Sequence, residues 1–233
     1  MSASSPLIDV IIPAYNEQDA IAKVIRDIPD FVRNIIVVNN DSRDNTQFNA
    51  SRAGAIVVDE PQRGYGRACL TGIEYISSLK IPPDILVFLD GDYSDYPEEM
   101  ALLVQPILDG EADFVVGSRE RGVSARGSMT FPQIFGNRLA TTLMRWIYKA
   151  NYTDLGPFRA IVWEKLLALN MQDQDYGWTI EMQIKAVQHK LRITEVPVNY
   201  KQRIGTSKVS GTLKGAVMAG YKIISTIFFR IRK

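Results

Sequence analysis

Cysteine and histidine are almost missing from this chain, with one of each among 233 residues. Cys69 alone cannot form an intramolecular disulfide, and a lone thiol fits a reducing compartment. His189 alone excludes a multi-histidine metal site. It lies in the polar helical stretch QHKLRI, which makes a serine–histidine mechanism a poor fit and a surface role the simpler reading. An apolar run of bilayer length is also missing. The longest mainly apolar stretch, 215–229, has 15 residues and includes Lys222, against the ~20 that a membrane span needs. The opening MSASSPLIDVIIPAYNE has no basic region, and Asp9 and Pro13 break its apolar residues, so it does not read as a signal peptide. Acids are missing from the end of the chain. Residues 201–233 hold eight basic side chains and no Asp or Glu, while the other 200 residues carry 19 basic against 26 acidic. A net charge of +1 hides this split. It predicts a basic tail that meets an anionic partner.

What is present describes an ordinary globular domain: 46% hydrophobic and 23% charged residues, with length enough for a substantial core. Apolar, β-branched runs predict strands at 7–12, 34–40, 55–60, 84–90, 112–118 and 192–200. Helical spacing predicts helices over 17–28, 64–79, 131–150 and 178–190, and Pro97 suits the first turn of another. The stretch YTDLGPFRAI is expected to run into short helices, and 121–131 reads as a mobile loop. Strands alternating with helices imply an α/β fold with a mostly parallel sheet covered on both faces. Ligands of such sheets sit at the carboxyl ends of the strands. Polar clusters stand at five of those ends: PAYNE, NNDSRDNT, DEPQRGYG, DGDYSD and GSRERG.

The fourth cluster carries the sharpest chemical signal. In FLDGDYSDYPEE, residues 88–99, Asp90 and Asp92 stand two apart where a hydrophobic run stops. Alternate residues of an extended segment point the same way. Two carboxylates so placed repel each other unless a cation intervenes, and Mg²⁺ commonly takes one or two carboxylates plus substrate phosphates. A solvated turn with aspartate caps is the structural alternative. The RGYGRA segment puts glycines 64 and 66 and cations 63 and 67 near a helix start, an arrangement suited to phosphates or a base. It is not a dinucleotide fingerprint, because position 69 is Cys69 and the segment follows the third strand, not the first.

The order PAYNE, SRDNT, RGYGRA and DGD resembles family-2 glycosyltransferases over roughly residues 7–210. GSR at 117–119, TDLGPFRA at 153–160, EVPVNYKQR at 195–203 and GTSK at 205–208 are most similar to the polyprenyl-phosphate sugar transferase branch. The resemblance implies the Rossmann-like GT-A fold and an inverting, Mg²⁺- or Mn²⁺-dependent hexosyltransferase. Its donor would be a nucleotide-diphosphate sugar, a UDP-sugar by expectation. Pro13, Tyr15, Glu17, Asn40, Gly64, Arg67 and Asp90 are then the nucleotide-sugar-binding candidates, with Asp90 and Asp92 on the metal. Asn39 and Asn40 depart from the aspartates of the family pattern, which bears on the base that is bound. Asp44 matches a family acid but suits a helix cap. Arg119, Arg138, Arg203 and Lys208 are candidates to grip an acceptor phosphate, with Arg138 open to a surface role. Asp92, Asp154, Glu181 and Arg119 form the catalytic set. Asp154 and Glu181 would be bases for a hydroxyl acceptor, and Glu181 is equally suited to pairing a nearby arginine.

Residues 211–233 place apolar or small side chains at 213, 216, 217, 220, 221, 224, 227, 228 and 231. This amphipathic, basic helix predicts a membrane-interface tail beside a domain spanning 1–210. A terminal helix packed on the domain is the alternative. The expectation is a cytoplasmic enzyme held peripherally on the inner membrane face, acting on a lipid phosphate, with no nucleic-acid partner and the oligomeric state open. A glycosyltransferase with a hydroxyl acceptor and a non-catalytic nucleotide-sugar-binding protein remain the rivals. A nucleotidyltransferase would want a basic glycine-rich loop near the first strand, where PAYNE stands.

Overall fold

A computed structural model describes residues 5–125, 127–205 and 213–229. The elements run β1 (Ile8–Ala14), α1 (Ile21–Asp27), β2 (Val32–Asn39), α2 (Thr46–Arg52), β3 (Ile56–Asp59), α3 (Tyr65–Ser77), β4 (Ile85–Phe88), α4 (Met100–Leu108), β5 (Phe114–Ser118), α5 (Phe131–Tyr148), β6 (Arg159–Val162), α6 (Trp163–Leu169), α7 (Trp178–Gln188), β7 (Ile193–Pro197) and α8 (Leu213–Phe229). A short 3₁₀ turn, Pro97–Glu99, leads into α4, with Pro97 in the first-turn position its sequence suggests.

Seven strands form one sheet in the order β3-β2-β1-β4-β6-β5-β7. Alternation along each strand splits its side chains between two faces. Ile11, Ile36, Leu86 and Phe114 enter one core layer, covered by α3, α5 and α7. Val10, Val37, Val87 and Val115 enter the other, covered by α1 and α4. Burial on both faces is why these strands read as continuous Val and Ile runs rather than alternating ones.

One strand was not legible. YTDLGPFRAI does lead into the short helix α6, but Arg159–Val162 forms β6 first, antiparallel to both β4 and β5. Four apolar-leaning residues behind Gly156 and Pro157 carry no usable period, so strand and helix are indistinguishable there. The reversed direction matters for the site. The carboxyl ends of β1 to β5 lie on one edge of the sheet, and β6 starts at that same edge, delivering the 153–158 loop to it. Helix α8 lies against α5 and α7. The Tyr148 hydroxyl donates to the Ile227 carbonyl at 2.7 Å, and Ile227 is fully buried.

Candidate active site

The strand-end loops enclose a cleft of about 370 Å³. Pro13, Tyr15 and Glu17 arrive from β1, Asn40 from β2, Gly64 and Tyr65 from β3 and the start of α3, and Asp90 and Asp92 from β4. Arg203 and the 175–176 segment close the far side. Eight of the residues expected from sequence thus share one cavity: Pro13, Tyr15, Glu17, Asn40, Gly64, Asp90, Asp92 and Arg203.

The two acids are held differently. Asp92 accepts from the Ser94 amide at 2.9 Å and from the Ser94 hydroxyl through Oδ1, while Oδ2 faces Arg203 Nη1 at 3.1 Å. Asp90 accepts from the Tyr65 hydroxyl at 3.1 Å. Burial, then the charge of Asp92, raises the Asp90 carboxyl to about 6. Arg203 also reaches Glu17 at 2.9 Å, so one guanidinium bridges two cleft carboxylates, and its buried Nε has no hydrogen-bond partner among the described residues. Asp95, next along the turn, is buried with neither carboxylate oxygen paired among the described residues. Its pKa is raised by burial and then by Asp90 and Asp92.

Two neighbouring acids, whose charges burial and mutual repulsion disfavour, suit a divalent cation. Among the described residues no group of three or more His, Cys, Asp or Glu side chains is arranged to hold a metal. An ion here would need oxygens from a bound phosphate, which is the habit of Mg²⁺-type sites rather than of all-protein cages. The donor set fits such an ion, and Arg203 places a positive charge beside Asp92 and Glu17.

The nucleotide side differs in detail from the expectation. Tyr15 is covered by the Arg63 guanidinium, 4.4 Å from the ring centre, and Arg63 is itself paired to Asp41 at 2.9 Å. Asn40 spends its amide on the chain: Nδ2 donates to the carbonyls of Glu60 (3.2 Å) and Gln62 (2.7 Å), and Oδ1 accepts from Gly64 N (2.9 Å). An aspartate would lack both of those donations, so Asn40 shapes the 60–64 loop as well as lining the cleft. Asn39 donates to Asp59 at 2.8 Å. Asp44 stands one residue ahead of Asn45, the N-cap of α2, and accepts from the Thr46 amide at 3.0 Å and the Gln18 amide at 3.3 Å, so it ties α2 to the loop after β1 rather than acting as the cap residue itself. Arg67 is turned away from the cleft to Glu60, 3.0 Å distant, while its amide donates to the Gln174 carbonyl.

Asp154, Arg119, Glu181 and Arg138 do not line the cleft, although Arg119 lies near enough for its charge to act on Asp90. Asp154 is fully buried and grips Arg119 through both oxygens, at 2.7 and 2.8 Å, and through the Arg119 amide at 2.8 Å. Burial alone would lower the Arg119 pKa, but the Asp154 charge and hydrogen bonds outweigh it and raise it. Glu181 is also fully buried. It pairs with Lys185 at 2.9 Å and accepts from the Gln172 and Asp173 amides, so it anchors the 171–177 loop instead of facing the cleft. Arg138 is exposed on α5, away from the cavity. Lys208 lies outside the described residues. Sequence reasoning passed over Tyr65, Asp175 and Tyr176, which do line the cavity. Tyr65 sat in plain view between two glycines. Asp175 and Tyr176 carried no signal, because a loop far along the chain brings them in.

A doubly covered α/β sheet whose strand ends gather acids, a tyrosine and an arginine in one cleft suits a nucleotide-sugar-dependent transferase of the GT-A type. The profile of glycosyl transferase family 2 matches residues 9–167. An uncharacterized glycosyltransferase of Mycobacterium tuberculosis is 34% identical over 226 residues, covering 94% of this chain and 98% of the relative. A UDP-N-acetylglucosamine–dolichyl-phosphate N-acetylglucosaminyltransferase of Methanococcus voltae is 28% identical over 253 residues, covering 97% and 94%. Among solved structures, glucosyl-3-phosphoglycerate synthase from Mycobacterium tuberculosis, in complex with Mn²⁺, UDP-glucose and phosphoglyceric acid, superposes with a TM-score of 0.74. It is 25% identical over 97% of this chain and 80% of its own. The chain belongs to glycosyl transferase family 2, and it is an enzyme of that family.

Proposed function

We propose that the enzyme transfers a hexosyl group from a UDP-sugar to a polyprenyl-phosphate-type lipid, with Mg²⁺ or Mn²⁺ at Asp90 and Asp92. UDP and the metal are supported by the UDP-glucose and Mn²⁺ of the glucosyl-3-phosphoglycerate synthase complex. The lipid phosphate is supported by the dolichyl-phosphate relative. The observation that carries the acceptor class is the engagement of both expected bases. Asp154 is bound to Arg119, and Glu181 to Lys185 and two amides. A hydroxyl acceptor needs a base within reach. A phosphate arrives already ionised and needs cations to hold it.

In this reading Tyr15 and the Asn40-shaped loop receive the nucleoside, and Arg203 steers phosphate oxygens toward the two acids. Asp90 and Asp92 would hold a divalent ion there, which would supply positive charge to the departing diphosphate. An acceptor phosphate oxygen forms the new bond to the sugar C1 from the opposite face. The C1–O bond to the diphosphate breaks, and the electron pair leaves with UDP. No proton needs to move. Arg119, fixed by Asp154, is the candidate to orient the acceptor. The reading places the lipid contact peripherally, on the cytoplasmic face; among the described residues no helix is long and apolar enough to cross a membrane.

A hydroxyl acceptor is the second reading, favoured by Asp175. This carboxyl lines the cleft, and burial followed by the Asp173 charge raises its pKa, as suits a base. The test is transfer from radiolabelled UDP-hexose to polyprenyl phosphate and to free polyprenol. We expect product only with the phosphate, loss of turnover in Asp92→Asn and with EDTA, and survival of turnover in Asp175→Asn. Transfer to the alcohol that vanishes in Asp175→Asn would replace the first reading by the second. Full Asp92→Asn activity in EDTA would remove the metal.

A further inference from the structure

Helix α5 contains no acid. The residues 121–153 around it hold five basic side chains, Arg121, Arg126, Arg138, Arg145 and Lys149, and no Asp or Glu. The chain beyond Glu195 is acid-free as well. These two segments, far apart in sequence, meet in the fold where α8 lies against α5.

Both helices turn apolar side chains outward. On α5 the exposed residues Phe131, Phe135, Arg138, Thr142, Trp146 and Lys149 recur at intervals of three and four, which puts them on one face, with Arg145 at its margin. Phe131, Phe135 and Trp146 are 79, 60 and 74% exposed. The opposite face, Asn137, Ala140, Thr141 and Met144, is buried. On α8, Thr226 and Ile227 point inward, while Met218, Tyr221, Phe228 and Phe229 are exposed. Single exposed aromatics are common, but such a set on two adjoining helices marks an interaction surface.

We propose that α5 and α8 together form a membrane-docking face. Phe131, Phe135, Trp146, Phe228 and Phe229 enter the interfacial layer of an anionic bilayer, and Arg138, Arg145 and Lys149 meet its headgroups. The proposal rests on the lipid-phosphate reading above and adds the surface that reaches the lipid. Charge selects the occupant. A second copy would bring like charges face to face, whereas an anionic leaflet neutralises them. The arrangement also suits the reaction, because eleven residues of chain separate Arg119 from Phe131 at the exposed start of α5.

The tryptophans make the test direct. Of the three in the chain, Trp163 and Trp178 are 4 and 1% exposed, leaving Trp146 as the reporter. Phosphatidylcholine vesicles with added phosphatidylglycerol should shift the emission to the blue, protect it from acrylamide and float the full-length chain. Neutral vesicles should do much less. The Arg145→Glu/Lys149→Glu double variant should bind these vesicles at least about tenfold more weakly, with Mn²⁺-dependent hydrolysis of UDP-hexose unchanged. Unchanged emission and a chain that stays at the bottom of the gradient, with hydrolysis intact, would overturn the docking face. So would a Trp146 protected without lipid in a chain that sediments as a dimer, which would give the face to a second copy. Vesicle binding without donor hydrolysis would support the docking face while removing the transfer reading.

Discussion

Asp90 is caught between burial and a neighbouring negative charge. Both favour its neutral form, which raises its pKa from 3.8 to about 6. A raised carboxyl pKa means that the group's stabilising contribution is full at low pH and is lost as pH rises through about 6, where the buried side chain must ionise. A bound divalent ion reverses the sign, because it needs the ionised form. Affinity for Mn²⁺ in the presence of UDP should therefore rise with pH across the region around 6 and level off above it. Titration calorimetry over that range should record proton release that fades at the alkaline end. Asp90→Asn should bind weakly at every pH, keeping only the shallower slope of the UDP terminal phosphate, which itself titrates at about 6. A parent slope no steeper than the variant's would mean that Asp90 does not exchange a proton for the ion. Asp154 and Glu181 teach the complementary lesson. Their carboxylates sit in the sequence where a base belongs, but burial cannot be read from a string of letters. The pairing of Asp154 with Arg119, 35 residues away, emerges only on packing, whereas Glu181 and Lys185 are an i, i+4 pair on a helix that the spacing predicts, and only their burial was hidden.

At the scale of elements, the RGYGRA segment looked like a phosphate loop, but its glycines have a packing reason. A Cβ on Gly66 would lie 2.1 Å from the Asp173 carbonyl oxygen, and one on Gly64, whose φ is +150°, would lie 2.2 Å from that of Gln174. The start of α3 thus docks backbone to backbone on the loop that delivers Asp175 and Tyr176 to the cleft. Gly66→Ala must push that loop away, since a carbonyl cannot yield as a flexible side chain can. We expect destabilisation of about 1–3 kcal/mol and a loss of UDP-sugar affinity out of proportion to it, read by thermal unfolding and calorimetry together. Parent-like affinity would show that the loop adapts. The elements themselves were largely legible. Val- and Ile-rich runs announced β1 to β5, and helical spacing announced α3, α5 and α7. The exception, β6, is four residues long and takes its direction from its neighbours. Its antiparallel course brings Asp154 beside Arg119, and nothing local in YTDLGPFRAI encodes that.

For the molecule as a whole, the open question is whether residues 213–229 are an appendage or part of the body. The amphipathic pattern fits both, because a stripe that suits lipid also suits a core. Ile227 is fully buried and belongs to the same core layer as Phe88 and Trp178, and Lys222 reaches Asp173 at 3.1 Å on the cleft-side loop. Phe229, two residues on, is 79% exposed. The two side chains should therefore respond oppositely to truncation. Ile227→Ala should cost about 2–5 kcal/mol, which in a chain of this size lowers the unfolding midpoint by about 4–20 °C, in a single cooperative transition. Phe229→Ala should leave the midpoint unchanged and weaken vesicle binding alone. If instead Ile227→Ala left the midpoint in place, or melted a separate low-temperature phase, the helix would be an independent anchor. The catalytic body would then owe its stability to the sheet and its other helices.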